Sequence, residues 1–128
     1  MGGNGGNQRP ALERSTPVLA TADYPAARAF YRDKLGYSVI EEGGDPARFG
    51  IFRRGGSLLF VDGWHGPRAA TPKIWSAYIH VTDLDALAAE FTANGVVLTR
   101  PIETTGYGMR EFEITGPDGV VLCFGEDA

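Results

Sequence analysis

The chain has a single cysteine, Cys123, so no intrachain disulfide can staple it and its 128 residues must hold together by packing. Such usage fits a reducing compartment, and a cytoplasmic location is the expectation. Histidine is nearly as scarce: His65 and His80 alone cannot furnish an imidazole-based metal centre. No apolar run reaches the roughly 20 residues that a membrane-crossing helix needs. The N-terminus also lacks the basic-then-apolar order of a signal peptide, so no membrane partner is expected. Positive charge is short as well. Twelve Lys and Arg against sixteen Asp and Glu give a net charge of −4. The basic residues are scattered rather than striped, which argues against nucleic acid and suits a neutral or cationic small ligand. The first eight residues are Gly-rich and nearly devoid of apolar side chains, so residues 1–14 read as a flexible tail.

What the sequence does contain is a repeat. Ala22–Tyr31 and Thr82–Phe91 each follow a short apolar strand pattern and open a helix at an aspartate, which makes Asp23 and Asp83 equivalent N-caps. Gly55–Val61 in the first half matches Asp118–Phe124 in the second, each a glycine turn feeding an apolar strand. Two copies of one βαβββ unit follow, at about 15–63 and 73–128 of a single domain spanning 15–128, with 64–72 as linker. One helix cannot cover both faces of its own sheet. The copies are therefore expected to pair and leave a shared concave surface in an α+β fold.

In chain order the pattern predicts a strand over Pro17–Thr21 and a helix from Pro25 to the stop at Gly36. Strands follow over Tyr37–Glu41, Arg48–Arg53 and Ser57–Asp62, with a turn at Gly43–Pro46. The second half reads as strand Ile74–Val81, helix Leu84–Asn94, strand Val96–Thr99, a loop over Arg100–Gly106, and strands Met109–Thr115 and Val120–Phe124. Alternation along Ile74–Val81 puts Trp75, Ala77, Ile79 and Val81 toward the helix and Ser76, Tyr78, His80 and Thr82 toward the concavity. With Leu58, Phe60, Asp62, Val121 and Cys123, the second set would make a pocket with apolar walls and a few polar groups. A filled cup, with Phe60 and Tyr78 as core, is the alternative. Cys123 reads as inert lining, and His80 as a hydrogen-bonded wall residue.

Two strings, Phe30–Tyr37 and Arg110–Gly119, resemble the vicinal oxygen chelate superfamily, which includes glyoxalases, extradiol dioxygenases and bleomycin resistance proteins. The resemblance covers roughly Thr16–Glu126. Pro17–Leu19, Phe49–Gly55 and Ser76–Asp83 bring it nearest to the bleomycin resistance branch. It implies two βαβββ modules forming a concave half-barrel mixed sheet with helices outside, and a homodimer that sequesters an antibiotic without altering it.

In the metal-dependent relatives a ligand precedes each helix-capping Asp by seven residues and another follows each hairpin Gly by four. Here those positions hold Thr16, Ser76, Phe60 and Cys123. Neutral hydroxyls and a phenyl ring do not make a site for a hard divalent ion. His65 lies in the linker, outside that register. The resemblance also matches Phe49 and Tyr107 to two aromatics that sandwich a planar heteroaromatic ligand, with Asp62, Glu111 and Glu113 offering negative charge to a cation. The candidate ligand-binding residues are thus Phe49, Phe60, Asp62, Tyr78, His80, Tyr107, Glu111 and Cys123. No catalytic residue, metal ligand or cofactor is expected. The function expected is a bleomycin-resistance-like protein that sequesters a planar, cationic small molecule in a homodimer groove. The alternative is a metal-dependent glyoxalase- or dioxygenase-type lyase or oxidoreductase of the same superfamily.

Overall fold

The computed structural model describes residues 9–65 and 74–128. The start of the expected tail and most of the expected linker lie outside the described residues. Strand β1 (Val18–Ala20) leads into helix α1 (Tyr24–Ala29), followed by β2 (Ser38–Gly44), β3 (Ala47–Arg54) and β4 (Ser57–Asp62). The second module repeats the order with β5 (Ala77–His80), α2 (Leu84–Ala93), β6 (Leu98–Thr104), β7 (Met109–Thr115) and β8 (Val121–Asp127). Both predicted N-caps are present, and alike: Asp23 accepts from the Ala26 N–H and Asp83 from the Ala86 N–H, each at 3.1 Å. Helix α1 ends in a π turn over Phe30–Lys34, and Gly36, at φ 75°, takes the left-handed conformation that stops it.

Each module is a four-stranded mixed sheet, in the orders β1-β4-β3-β2 and β5-β8-β7-β6. The first two strands of each list pair parallel and the others antiparallel. The mixed sheet therefore comes as two halves, with no ladder joining them among the described residues. One face of each half carries the buried core. In the first module Leu19, Phe52, Leu59 and Val61 lie on that face with Tyr31 and Leu35. In the second, Phe112, Ile114, Leu122 and Phe124 meet Leu84 and Phe91, and the rings of Phe91, Phe112 and Phe124 lie within 6.0 Å of one another. The opposite face of each sheet has no helix over it.

Three expectations of local structure are corrected. Arg100–Gly106 is not a loop for most of its length, because β6 continues to Thr104. Its Pro101 is tolerated because β6 is an edge strand whose pairing is irregular between Arg100 and Glu103. Strand β5 begins only at Ala77, after a bend at Ser76, so the alternation read through Trp75 breaks there. Strand β2 runs on to Gly44, taking in part of the expected turn. The modules are clasped by Arg54, which forks onto Glu90 at 2.6 and 2.7 Å, and by a reciprocal pair in which Asn94 and Lys34 each donate to the other's carbonyl. No helix is long and apolar enough to cross a membrane.

Candidate functional site

On the helix-free face of the first module, β3 presents Phe49 and β4 presents Phe60 and Asp62. Asp62 is buried, and its carboxylate organises the chain that leaves β4. It accepts from the N–H of Trp64 at 2.8 Å, from the N–H of His65 at 3.4 Å, and from His65 Nδ1 at 2.6 Å. Burial pushes the Asp62 carboxyl up, but the bonds from His65 and Trp64 outweigh it and leave it below the ordinary carboxylate range. His65, assigned to the linker by sequence, is thus part of this turn. Phe49 is half-buried rather than exposed: it meets Phe60 at 5.5 Å and stacks on Trp64 at 5.2 Å with the rings 15° from parallel.

The repeat places the second cluster. Phe49 faces Asp62 across β3 and β4, and in the second module the corresponding cross-strand pair is Glu111 and Gly125. The carboxylate has moved to the other strand. Glu111 is fully buried, covered by side chains rather than by depth. The Tyr107 hydroxyl donates to it, 2.7 Å from each oxygen, and Arg100 Nη2 donates at 3.0 Å. Arg100 also binds Glu103 at 2.6 Å and Glu113 at 2.9 Å, and reaches Cys123 Sγ at 3.9 Å. Three carboxylates on one guanidinium leave this cluster with two net negative charges. Burial pushes the Glu111 carboxyl up, yet hydrogen bonds from Tyr107 and Arg100 hold it below the usual range. Burial, with Glu111 nearby, pushes the Cys123 thiol up to about 12, so it stays protonated and unreactive at neutral pH.

Aromatic side chains wall this cluster. Trp75 donates from Nε1 to Glu113 at 2.9 Å and packs on Tyr78, which in turn packs on His80. The expectation that Trp75 faces the helix is corrected: the bend at Ser76 turns it to the helix-free side. The Tyr78 hydroxyl lies beside Glu111, in space that a side chain at Gly125 would fill, and is buried without a hydrogen-bond partner of good geometry.

The predicted residues therefore fall into two groups, Phe49, Phe60 and Asp62 on one module and Tyr78, His80, Tyr107, Glu111 and Cys123 on the other. No hydrogen bond or ring contact among the described residues joins the groups. Sequence reasoning missed Arg100, Trp75, Trp64 and His65. Reading β6 through Pro101 would have exposed the first, since Arg100 then falls opposite Glu113. A cleft of about 760 Å³ lies elsewhere, between the β3–β4 hairpin and β5 with α2. Of the residues expected to line the pocket, Leu58, Tyr78, His80 and Thr82 line this cleft, while the concentration of charge and exposed rings lies on the helix-free faces.

The donor set can be judged against a metal. Phe60 has no donor atom, Thr16 and Ser76 bring neutral hydroxyls, and the Cys123 thiol resists deprotonation. Among the described residues no three His, Cys, Asp or Glu side chains converge as a metal site. These residues do not fit a divalent centre at the register that the metal-dependent relatives use.

The family model of the glyoxalase/bleomycin resistance protein/dioxygenase superfamily matches residues 15–124, nearly the whole described fold. The chain belongs to that superfamily. Among solved structures it is similar to a bleomycin resistance determinant encoded on transposon Tn5, at 20% identity and TM-score 0.76, over 91% of this chain and 98% of that one. It is similar also to a lactoylglutathione lyase from Agrobacterium tumefaciens, at 21% identity and TM-score 0.71, over 92% and 96%. A glyoxalase/bleomycin resistance protein from Catenulispora acidiphila shares 26% identity at TM-score 0.69, over 89% and 97%. No curated protein matches the sequence. The two-module fold is thereby shared with a resistance protein and a lyase alike.

Proposed function

We propose that this superfamily member binds and sequesters a planar, cationic small molecule on its helix-free faces without transforming it, and does so as a homodimer. The observation that carries the reading is the Glu111 cluster. A fully buried carboxylate held by Tyr107 and Arg100, with Glu103 and Glu113 beside it, concentrates negative charge among the rings of Tyr78, Tyr107 and Trp75. Charge of one sign framed by aromatic rings suits a flat cation, through cation–π and stacking contacts worth about 0.5–2 kcal/mol each. The donor set supports binding over metal-dependent lyase or dioxygenase chemistry, because Thr16, Phe60, Ser76 and Cys123 offer a hard cation little. His80 and Cys123 serve as wall and lining.

Thermal-shift and calorimetric titration against bleomycin and a panel of planar cations, with and without added Zn, Mn, Ni and Fe, tests the proposal. The expected outcome is saturable binding, independent of metal, that weakens several-fold in Tyr107→Ala. Tight uptake of about one metal per chain, with turnover of a glyoxalase or dioxygenase substrate, would sink it.

A further inference from the structure

Phe49 was expected to stack directly on a ligand, but its surroundings leave no room for one. Trp64 covers one of its faces at 5.2 Å and Phe60 abuts it at 5.5 Å. A flat molecule between two rings needs them about 7 Å apart, twice the contact distance of roughly 3.5 Å. Trp64 itself is held from three sides. Its backbone N–H donates to the buried Asp62 carboxylate, Phe49 lies against its ring, and the absent side chains of Gly43 and Gly44 give the ring a seat. A Cβ at Gly43 would come within 2.7 Å of Trp64 Cη2, and one at Gly44 within 3.4 Å of Nε1. An indole so fixed would be unremarkable if it were buried, but 47% of the residue is exposed. Phe49 stacks on one face of that ring, leaving the other face free of any ring contact among the described residues.

His65 follows immediately. Because Nδ1 donates to Asp62 at 2.6 Å, the neutral ring has its lone pair on Nε2, and the imidazole side chain points largely into solvent. One buried carboxylate therefore presents a flat apolar ring and a hydrogen-bond acceptor side by side.

We propose that Trp64, and not Phe49, is the first module's stacking platform for the ligand, and that His65 Nε2 accepts a hydrogen bond from an N–H or O–H at the ligand's edge. Phe49 supports the indole from below, and Asp62 positions both residues. The ligand class is correspondingly a planar heteroaromatic with a donor at its rim. This inference rests on the groove reading above, and deepens it by naming the surface used.

Proflavine, a flat cation with amino groups at its edge, is the probe. The affinity of the parent protein is compared with those of Trp64→Ala, Trp64→Phe, Phe49→Leu and His65→Ala. Loss of the platform is expected to weaken binding by about ten-fold in Trp64→Ala, whereas Trp64→Phe and Phe49→Leu stay within a few-fold of the parent and His65→Ala loses a few-fold. In the parent protein, with resonances assigned through Trp64→Phe and Trp75→Phe, proflavine is expected to shift the Trp64 indole N–H by its ring current. That readout is taken on the parent protein itself, and either variant alone suffices to assign its two indole resonances. Parental affinity in Trp64→Ala combined with a large loss in Phe49→Leu would overturn this inference alone and restore Phe49 as the platform. Absence of saturable proflavine binding to the parent would overturn the inference together with the groove reading.

Discussion

At the scale of single residues, Glu111 is the side chain with most at stake. A buried carboxylate is costly unless paired, and Arg100 supplies both the charge and one of its hydrogen bonds. Arg100→Met is therefore expected to cost about 3 kcal/mol, since it strands a buried charge. The double variant Arg100→Met/Glu111→Gln should cost less than that single one, and urea unfolding of the four proteins in the cycle would show it. Two equal losses that simply add would mean that the pair does not interact. The folded Glu111 carboxyl titrates below its unfolded counterpart at about 4.3, so its stabilisation is complete above that value and fades as pH falls through the folded one. The stability gap between parent and Glu111→Gln should accordingly be widest near neutrality and close in acid below about pH 4. A gap that grew on acidification would contradict this assignment of sign.

At the scale of elements, the fold was legible wherever local chemistry and periodicity agreed. Asp23 and Asp83 announced both helices, and the glycine turns before β4 and β8 announced the repeat, because a cap or a left-handed turn is decided within a few residues of chain. The errors came where distant partners decided. Pro101 argues for a loop, and only the edge position of β6 makes it admissible. With β6 unread, Arg100 could not be placed opposite Glu113, so the acidic residues looked free when one guanidinium already held two of them. Trp64 and His65 were consigned to a linker because nothing local reveals that Asp62 folds them back. Gly125 makes a testable case of such pairing. Its φ is ordinary, yet a methyl there would overlap the Tyr78 hydroxyl. Gly125→Ala should then cost about 1–3 kcal/mol by overpacking, and that cost should largely vanish in a Tyr78→Ala background, where the methyl enters vacated space. If the cost persists there, the tyrosine is not the obstacle.

At the scale of the whole molecule, burial is one-sided. The helices cover one face of each sheet, and Val18, Ile40, Trp64 and Trp75 stay exposed. Val18 alternates with the core residue Leu19, which puts it on the helix-free side of β1, and Ile40 is the unpaired residue at the irregularity of β2 between Val39 and Glu41. Large apolar side chains gathered on uncovered sheet faces favour association, and a second copy supplies cover by symmetry. A homodimer with a dissociation constant in the micromolar range or tighter is the expected state, with the two clusters of the proposed site brought together only there. Sedimentation equilibrium should report twice the chain mass. Val18→Asp, a change that an exposed position tolerates within one chain, should shift the population toward monomer while leaving the far-UV dichroism unchanged. It should also weaken proflavine binding if the groove needs both copies. A parent protein that sediments as a monomer at tens of micromolar, or a Val18→Asp monomer that binds proflavine undiminished, would show that each chain works alone and that its two clusters act as separate surfaces.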